Sequence, residues 1–357
     1  MKILYAVFKY DYLNPKRGFS FEHYNFYDTL VKMDHGKHEV IYFPYDEILL
    51  EKGRGEMNQE LERLIDEQRP DLTFFVLFTE EFDKETIKRI SRSGKTQTLV
   101  WMTDDHWRFD NYSRYWANCF NWVATTDSKA PEKYKKIGYH NVIKSQWACN
   151  HFLYKPVDQL PITDYRYEVS FVGQPHGNRK AVIAKIEKSG FSVDCFGFGW
   201  PKGKVSQEEM IRIFAVSKIN LNLGNSSVGI HSLKGLAHLF LKRSGKLILP
   251  QSLVEIMNNL KLTLKGVREQ IKGRNFEVPG CGGFLLTGQA DNLEEYYQDG
   301  KEIVVFKDTN DLIEKIRYYL KNDKEREVIA SAGYQRTLRD HTYEKRFDEI
   351  FQKIGLK

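Results

Sequence analysis

A chain of 357 residues exceeds the roughly 250–300 residues that one hydrophobic core serves, so two domains are expected. Hydrophobic residues at 41% and aromatics at 14% exclude a disordered or low-complexity chain. With 54 Lys and Arg against 48 Asp and Glu, the net +6 falls far short of a nucleic-acid-binding composition.

Ile3–Phe8 is a short apolar run of the kind buried in a parallel sheet, and helical spacing follows over Phe21–Met33. Val40–Phe43, Leu72–Phe78 and Thr98–Met102 read as further strands, separated by helical stretches at Met57–Gln68 and Lys84–Ser91. Phe120–Thr125, Ala130–Ile137 and Val142–Ser145 complete a doubly wound domain over residues 1–150. His151–Arg166 carries two prolines and little periodicity, and reads as a linker. A second alternation then places strands at Val169–Val172, Ser192–Phe196, Ile219–Leu223, Phe284–Thr287 and Ile303–Phe306. Helices fall between them at Arg179–Ser189 and Gln207–Val216, and after them at 309–321, 324–335 and 342–354. The second domain is drawn over 167–336, with 337–357 as a terminal helical segment. Strands alternating with helices imply βαβ units, hence an α/β fold of two Rossmann-like lobes facing a cleft. Ligands in such sheets bind at the carboxyl ends of the strands.

Cys119, Cys149, Cys195 and Cys281 lie far apart with no C-x-x-C pair, which excludes a zinc cluster or disulfide framework and points to the cytoplasm. The first apolar run is broken by Lys9 and Asp11, and no run approaches 18 residues, so neither a signal core nor a membrane span is expected.

The most informative stretch is Glu269–Thr287, EQIKGRNFEVPGCGGFLLT, in which Glu269 and Glu277 are eight apart, Lys272 and Arg274 lie between them, and a Gly-Cys-Gly-Gly turn leads into an apolar strand. Read alone, it is equally a solvated charged helix end with a C-cap glycine. This stretch resembles the C-terminal donor-binding half of GT-B glycosyltransferases, in particular the CgeB-like, spore-maturation-type group 1 proteins. Val169–Lys180 and Val193–Trp200 resemble that family's first two C-domain strands with their glycine loops. Leu338–Phe351 resembles its terminal helix, which would cross back toward the N-lobe.

The resemblance implies a nucleotide-diphosphate sugar donor. Glu277 would hold the ribose hydroxyls, since a carboxylate accepts from two at once. Lys272, Arg274 and Arg179 would neutralise the diphosphate, while Gly173, Gly177, Gly282 and Gly283 would let backbone N–H groups approach it. Glu269 is the other carboxylate of the pair and a catalytic candidate. Cationic side chains replace a metal in such enzymes, and the only co-substrate implied is the nucleotide sugar, with no cofactor. Consistent with this, Thr103-Asp104-Asp105 is not a metal-binding Asp-x-Asp, Gly173–Lys180 lacks the Gly-Lys-Ser/Thr of a P-loop, and Gly197-x-Gly199 lacks the third glycine of a dinucleotide fingerprint.

In the N-terminal half, Thr103–Asp110 follows a strand directly. Asp105 and His106 are candidates to deprotonate an acceptor hydroxyl or to hold the transferred sugar, within about 3 Å of the oxygen. The alternative is that Asp104 caps the next helix and His106 lies on the surface. The aromatic loop Lys9–Glu22, with His23, suits an acceptor pocket, making Glu22 and His23 acceptor-side candidates; an ordinary mobile loop is the alternative.

Between Ser226 and Phe276 there are nine Lys/Arg and two acids, a net +7 that leaves −1 for the rest of the chain. Residues 231–246 within it mix leucines with Lys234, Lys242, Arg243 and Lys246, the composition of an interfacial helix at the inner membrane face or of a helical flap. The expected function is metal-independent sugar transfer to an acceptor hydroxyl, with no nucleic-acid partner. A non-catalytic nucleotide- or sugar-binding protein on the same fold is the alternative.

Overall fold

The computed structural model describes residues 1–157, 165–224, 240–244, 247–251, 253, 256–257, 260 and 269–356, with the backbone alone over 242–244 and 247–249. In chain order the strands are β1 (Lys2–Val7), β2 (Glu39–Pro44), β3 (Leu72–Phe75), β4 (Gln97–Met102), β5 (Trp122–Thr125), β6 (Val142–Lys144), β7 (Tyr167–Val172), β8 (Asp194–Phe196), β9 (Ser217–Asn222), β10 (Leu241–Ser244), β11 (Leu247–Pro250), β12 (Leu285–Gly288) and β13 (Val304–Phe306). They belong to two compact units. The N-terminal unit is Met1–Gln146 with Ile230–Gly266 and Tyr343–Lys357; the C-terminal unit is Trp147–Gly229 with Val267–Thr342.

In the N-terminal unit, β1 to β6 form one parallel sheet in the order β2-β1-β3-β4-β5-β6. Ile3 to Val7 are wholly buried, as a strand covered by helices on both faces must be, and this is why the run is apolar throughout instead of alternating. The core is unusually aromatic. Phe26 packs edge-on to Trp101 at 4.9 Å between ring centres and against Tyr343 and Phe347 at 4.9 and 5.4 Å, so the terminal helix Tyr343–Lys353 completes this unit's core.

The C-terminal unit holds the parallel sheet β13-β12-β9-β7-β8. Val169, Phe171, Ile219, Leu221 and Leu286 of its strands pack with Ile183, Leu312, Ile316 and Ile329 of its helices.

Three expectations change. The first boundary falls at 146/147 rather than at 150. The supposed linker begins as ordered structure: Tyr154 is buried and belongs to the C-terminal unit, while 158–164 lie outside the described residues. Where a helix was expected through 246, β10 and β11 pair as an antiparallel hairpin; Lys234 and Lys246 lie outside the described residues. No described helix is long and apolar enough to cross a membrane.

Phe347→Ala removes one ring from the aromatic core, and the expected loss is about 3–5 kcal/mol in the N-terminal unit. Chemical denaturation followed by tryptophan emission checks it through Trp101.

Candidate active site

In the C-terminal sheet the strand order reverses between β7 and β9, so the loops leaving their carboxyl ends diverge and leave a crevice. Arg179 opens the helix Arg179–Lys188 and reaches back across it. Its Nε donates to Leu223 O after β9 at 2.9 Å, and its Nη1 to Gln174 O after β7 at 2.8 Å. Burial lowers the Arg179 pKa from its usual value; the nearby Glu269 opposes that shift and Arg274 adds to it. Glu269 lies beside the same loop, since a Cβ on Gly224 would come within 3.3 Å of its Oε2. Arg179, Glu269 and Arg274 thus share one electrostatic neighbourhood.

The glycines around it have distinct duties. A side chain at Gly173 would meet the Phe171 ring at 3.0 Å and Arg179 Nη1 at 3.6 Å, so the missing Cβ leaves room for the guanidinium. Gly177 has φ +60, which a glycine adopts freely in the turn before the helix.

Lys272 sits on a loop held from beneath, and Arg274 opens the helix that follows it. Asn275 Oδ1 accepts from the Lys272 N–H at 3.0 Å and from Asn222 Nδ2 at 2.9 Å, and both amides donate to Thr287 Oγ1. This buried amide cluster ties the loop to the ends of β9 and β12. Arg274 lies over the Phe214 ring at 5.4 Å.

Glu277 departs from the expectation. Its side chain is 0% exposed; Oε1 accepts from the Tyr154 hydroxyl at 2.7 Å, and Oε2 pairs with Arg274 Nη1. Tyr154 in turn accepts from Gln207 Nε2 at 2.7 Å. Each carboxylate oxygen has a protein donor, and Glu277 fixes Arg274 one helical turn away. Gly282 and Gly283 also depart from it. Their N–H groups bond Pro279 O and Val278 O at the carboxyl end of the helix Arg274–Gly280, and a Cβ at Gly283 would strike Phe214 O at 2.6 Å. They terminate a helix and permit close packing, and their amides are not free for a phosphate.

In the N-terminal sheet the order reverses between β1 and β3. A cavity of about 210 Å3 opens there, lined by Phe8, Asp11 and Tyr12 after β1, Phe21 and Glu22, Leu77 and Phe78 after β3, and Thr103, Asp104 and Arg108 after β4. The helix Tyr45–Gln68 holds two of these walls. Asp46 accepts from the Lys9 and Tyr10 N–H groups at 2.8 and 2.9 Å, and Tyr45 OH donates to Val76 O and accepts from the Phe78 N–H, both at 3.1 Å. Ser20 caps the helix bearing Glu22: its Oγ accepts from the His23 N–H at 3.0 Å and donates to Phe8 O at 2.8 Å. The next five residues, His23–Tyr27, widen into a π-helical turn, a feature frequent at functional sites. The His23 ring points away into an aromatic stack, with Nδ1 2.9 Å from Tyr42 OH and Phe19 at 4.3 Å between ring centres.

Asp105 and His106 are not on this cavity. Asp105 is 0% exposed and accepts from Thr125 Oγ1 at 2.6 Å and Tyr134 OH at 3.0 Å; burial pushes its pKa up to about 6 against these hydrogen bonds. His106 is buried rather than on the surface, with Nε2 3.9 Å from Asp127, which pairs with Lys133 at 2.6 Å. The adjacent Asp104 does line the cavity, and its side chain makes no cap bond to the following helix. Asp104, Arg108, Phe8, Tyr12 and Phe78 were not singled out from sequence; their shared signal was only their place directly after strand ends.

Glu277→Ala leaves Arg274 and Tyr154 without their acceptor, and the expected loss of stability is about 1–3 kcal/mol. Thermal unfolding of the variant beside Tyr154→Phe, which removes one neutral donor and should cost less, checks the order.

Residues 237–352 match the model of the family described as glycosyl transferase-like. Spore protein CgeB of Bacillus subtilis strain 168 is 23% identical over 262 residues, covering 71% of this chain and 73% of that protein. Among solved structures, Anabaena Alr3699/HepE in complex with UDP and glucose is 10% identical with a TM-score of 0.56 over 99% of both chains. A glycosyltransferase from Rickettsia africae ESF-5 is 8% identical with a TM-score of 0.56, over 100% of this chain and 99% of its own. At such identity these two establish the fold, two Rossmann-like lobes of GT-B type, and the family match and the CgeB relative support kinship with CgeB-like group 1 glycosyltransferases.

Proposed function

We propose that the enzyme takes its sugar from a nucleotide-diphosphate donor held by the C-terminal unit and passes it to an acceptor hydroxyl without a metal ion or resident cofactor. The observation that carries this is Arg179, which spans the β7/β9 reversal with Arg274 in its electrostatic field. A leaving diphosphate gains negative charge as the glycosidic bond breaks, and fixed cations in a partly desolvated crevice stabilise that charge more than they would in water. Arg179, Lys272 and Arg274 are given this role. Glu277 and Tyr154 act through Arg274, while Glu269 is placed at the transferred sugar. The Anabaena structures in complex with UDP and with UDP-glucose support the donor class. A cytoplasmic setting, with the basic stretch 231–246 against an anionic membrane surface, belongs to the same reading and rests on composition alone.

Calorimetry with UDP, GDP and dTDP sugars tests the donor site. Arg179→Met should weaken the preferred donor about 10–100-fold, the effect of one charge-assisted hydrogen bond. Unchanged affinity removes Arg179 from the site. Donor turnover should survive excess chelator, and loss of turnover restored by a divalent cation would overturn metal independence.

A further inference from the structure

Gly197 and Gly199 lack the spacing of a dinucleotide fingerprint, yet the fold gives this glycine pair another use. The loop Gly197–Gly203, GFGWPKG, leaves the carboxyl end of β8, which pairs with β7 at the end of the strand order. It therefore flanks the loop after β7 on the same edge of the C-terminal sheet, on the side away from β9.

This loop is closed on itself and pressed against its neighbour. The Gly197 N–H donates to Gly203 O at 2.6 Å, the Trp200 N–H to Gly197 O at 3.1 Å and the Gly203 N–H to Trp200 O at 3.0 Å. Gly197 has φ +131, and a Cβ there would meet Gly173 O at 2.5 Å; one on Gly199 would come within 2.9 Å of Pro175 Cγ. The missing side chains let one loop's backbone lie directly on the other.

Trp200 gives that contact a direction. Its ring packs on the core of the sheet and edge-on to Phe171 at 6.0 Å between ring centres, and its Nε1 donates to Gly173 O at 2.8 Å. An indole N–H is a donor only, so this bond sets which way the Gly173 carbonyl faces. The Gly173 N–H donates in turn to Phe196 O at 2.9 Å, so both polar groups of the residue are held from β8 and its loop. The next carbonyl along, that of Gln174, accepts from Arg179 Nη1 at 2.8 Å. Loops after strands are the mobile parts of a fold, and a cation stabilises developing charge best when its own acceptors stay still. Fixing the Gly173–Gln174 peptide therefore fixes one of the two carbonyls that aim Arg179. Every residue in this chain of contacts belongs to the C-terminal unit.

We infer that Trp200 is a positioning residue for the donor's diphosphate, acting through Gly173 and Gln174 on the Arg179 guanidinium. This rests on the donor reading above. Phenylalanine at 200 keeps a ring against Phe171 and removes the N–H, which leaves the Gly173 carbonyl without this donor and the peptide free to turn.

Calorimetry of the full chain with UDP, GDP and dTDP tests the inference as a double-mutant cycle, using whichever nucleotide the parent binds most tightly. Trp200→Phe should weaken it about 2–10-fold, the range that loss of one hydrogen bond gives. In the Arg179→Met background the same change should have no further effect, because the group through which Trp200 acts is gone. A merely structural role would instead lower the affinity by the same factor in both backgrounds. Gly197→Ala pushes on the same carbonyl by a different route, and should likewise weaken binding in the parent and not in Arg179→Met. Thermal unfolding shows which variants are folded, and either of the two at this loop decides if the other does not fold. Unchanged affinity in a folded Trp200→Phe, or equal losses in the two backgrounds, overturns the inference. Failure of the donor reading shows differently: the parent binds none of the three nucleotides, or Arg179→Met binds as the parent does, and either result takes the inference with it.

Discussion

In a parallel sheet all strands end on the same edge, and where the strand order reverses, neighbouring crossovers depart in opposite directions and leave the backbone between them uncovered. That constraint places both candidate sites here. Between β7 and β9 the uncovered carbonyls of Gln174 and Leu223 are taken by one guanidinium, that of Arg179. Between β1 and β3 the corresponding loops are held apart by Asp46 and Tyr45 from the start of one helix, and the gap they leave is the cavity. The same topological feature is thus filled by a cation in one unit and lined by carboxylates in the other.

The cations of the C-terminal unit suit the proposed donor. A diphosphate arrives charged and leaves more so, and requires cations whose positions do not relax. Arg179 and Arg274 are both fixed by protein acceptors, at Leu223 and Gln174 in one case and at Glu277 in the other. Glu22 occupies the first turn of a helix, where the aligned peptide dipoles favour the charged form, yet burial outweighs them and the pKa still rises.

Much of the fold was readable because strands buried on both faces carry continuous apolar runs, as in Ile3–Val7, whose burial the sheet explains. The sites were readable only in part, because adjacent residues at a strand-to-helix turn point to opposite sides. Asp104 lines the cavity and Asp105 turns inward to Thr125 and Tyr134, and no spacing rule separates the two. Gly282 and Gly283 carried the pattern of a phosphate turn, but the helix before them runs from the carboxyl to the amino edge of the sheet, so they emerge at its far end. Tyr154 was hidden by the prolines around it; its value lies in a contact 123 residues away with Glu277.

Two of the buried acids of the N-terminal unit, Asp105 and Glu22, differ in the hydrogen bonds they receive. Asp105 receives hydrogen bonds from Thr125 and Tyr134, which offset its burial and hold its pKa at about 6. Among the described residues Glu22 receives none from another residue, and burial raises its pKa to about 8. For Glu22 the folded chain binds the proton more tightly than the unfolded chain does. Its contribution to stability is therefore fully present below the ordinary carboxylate pKa and is lost as pH rises through about 8. A residue kept for packing would gain from an added donor such as those Asp105 has. Among the described residues Glu22 has no such donor from another residue, so burying its charge costs stability as pH rises through about 8.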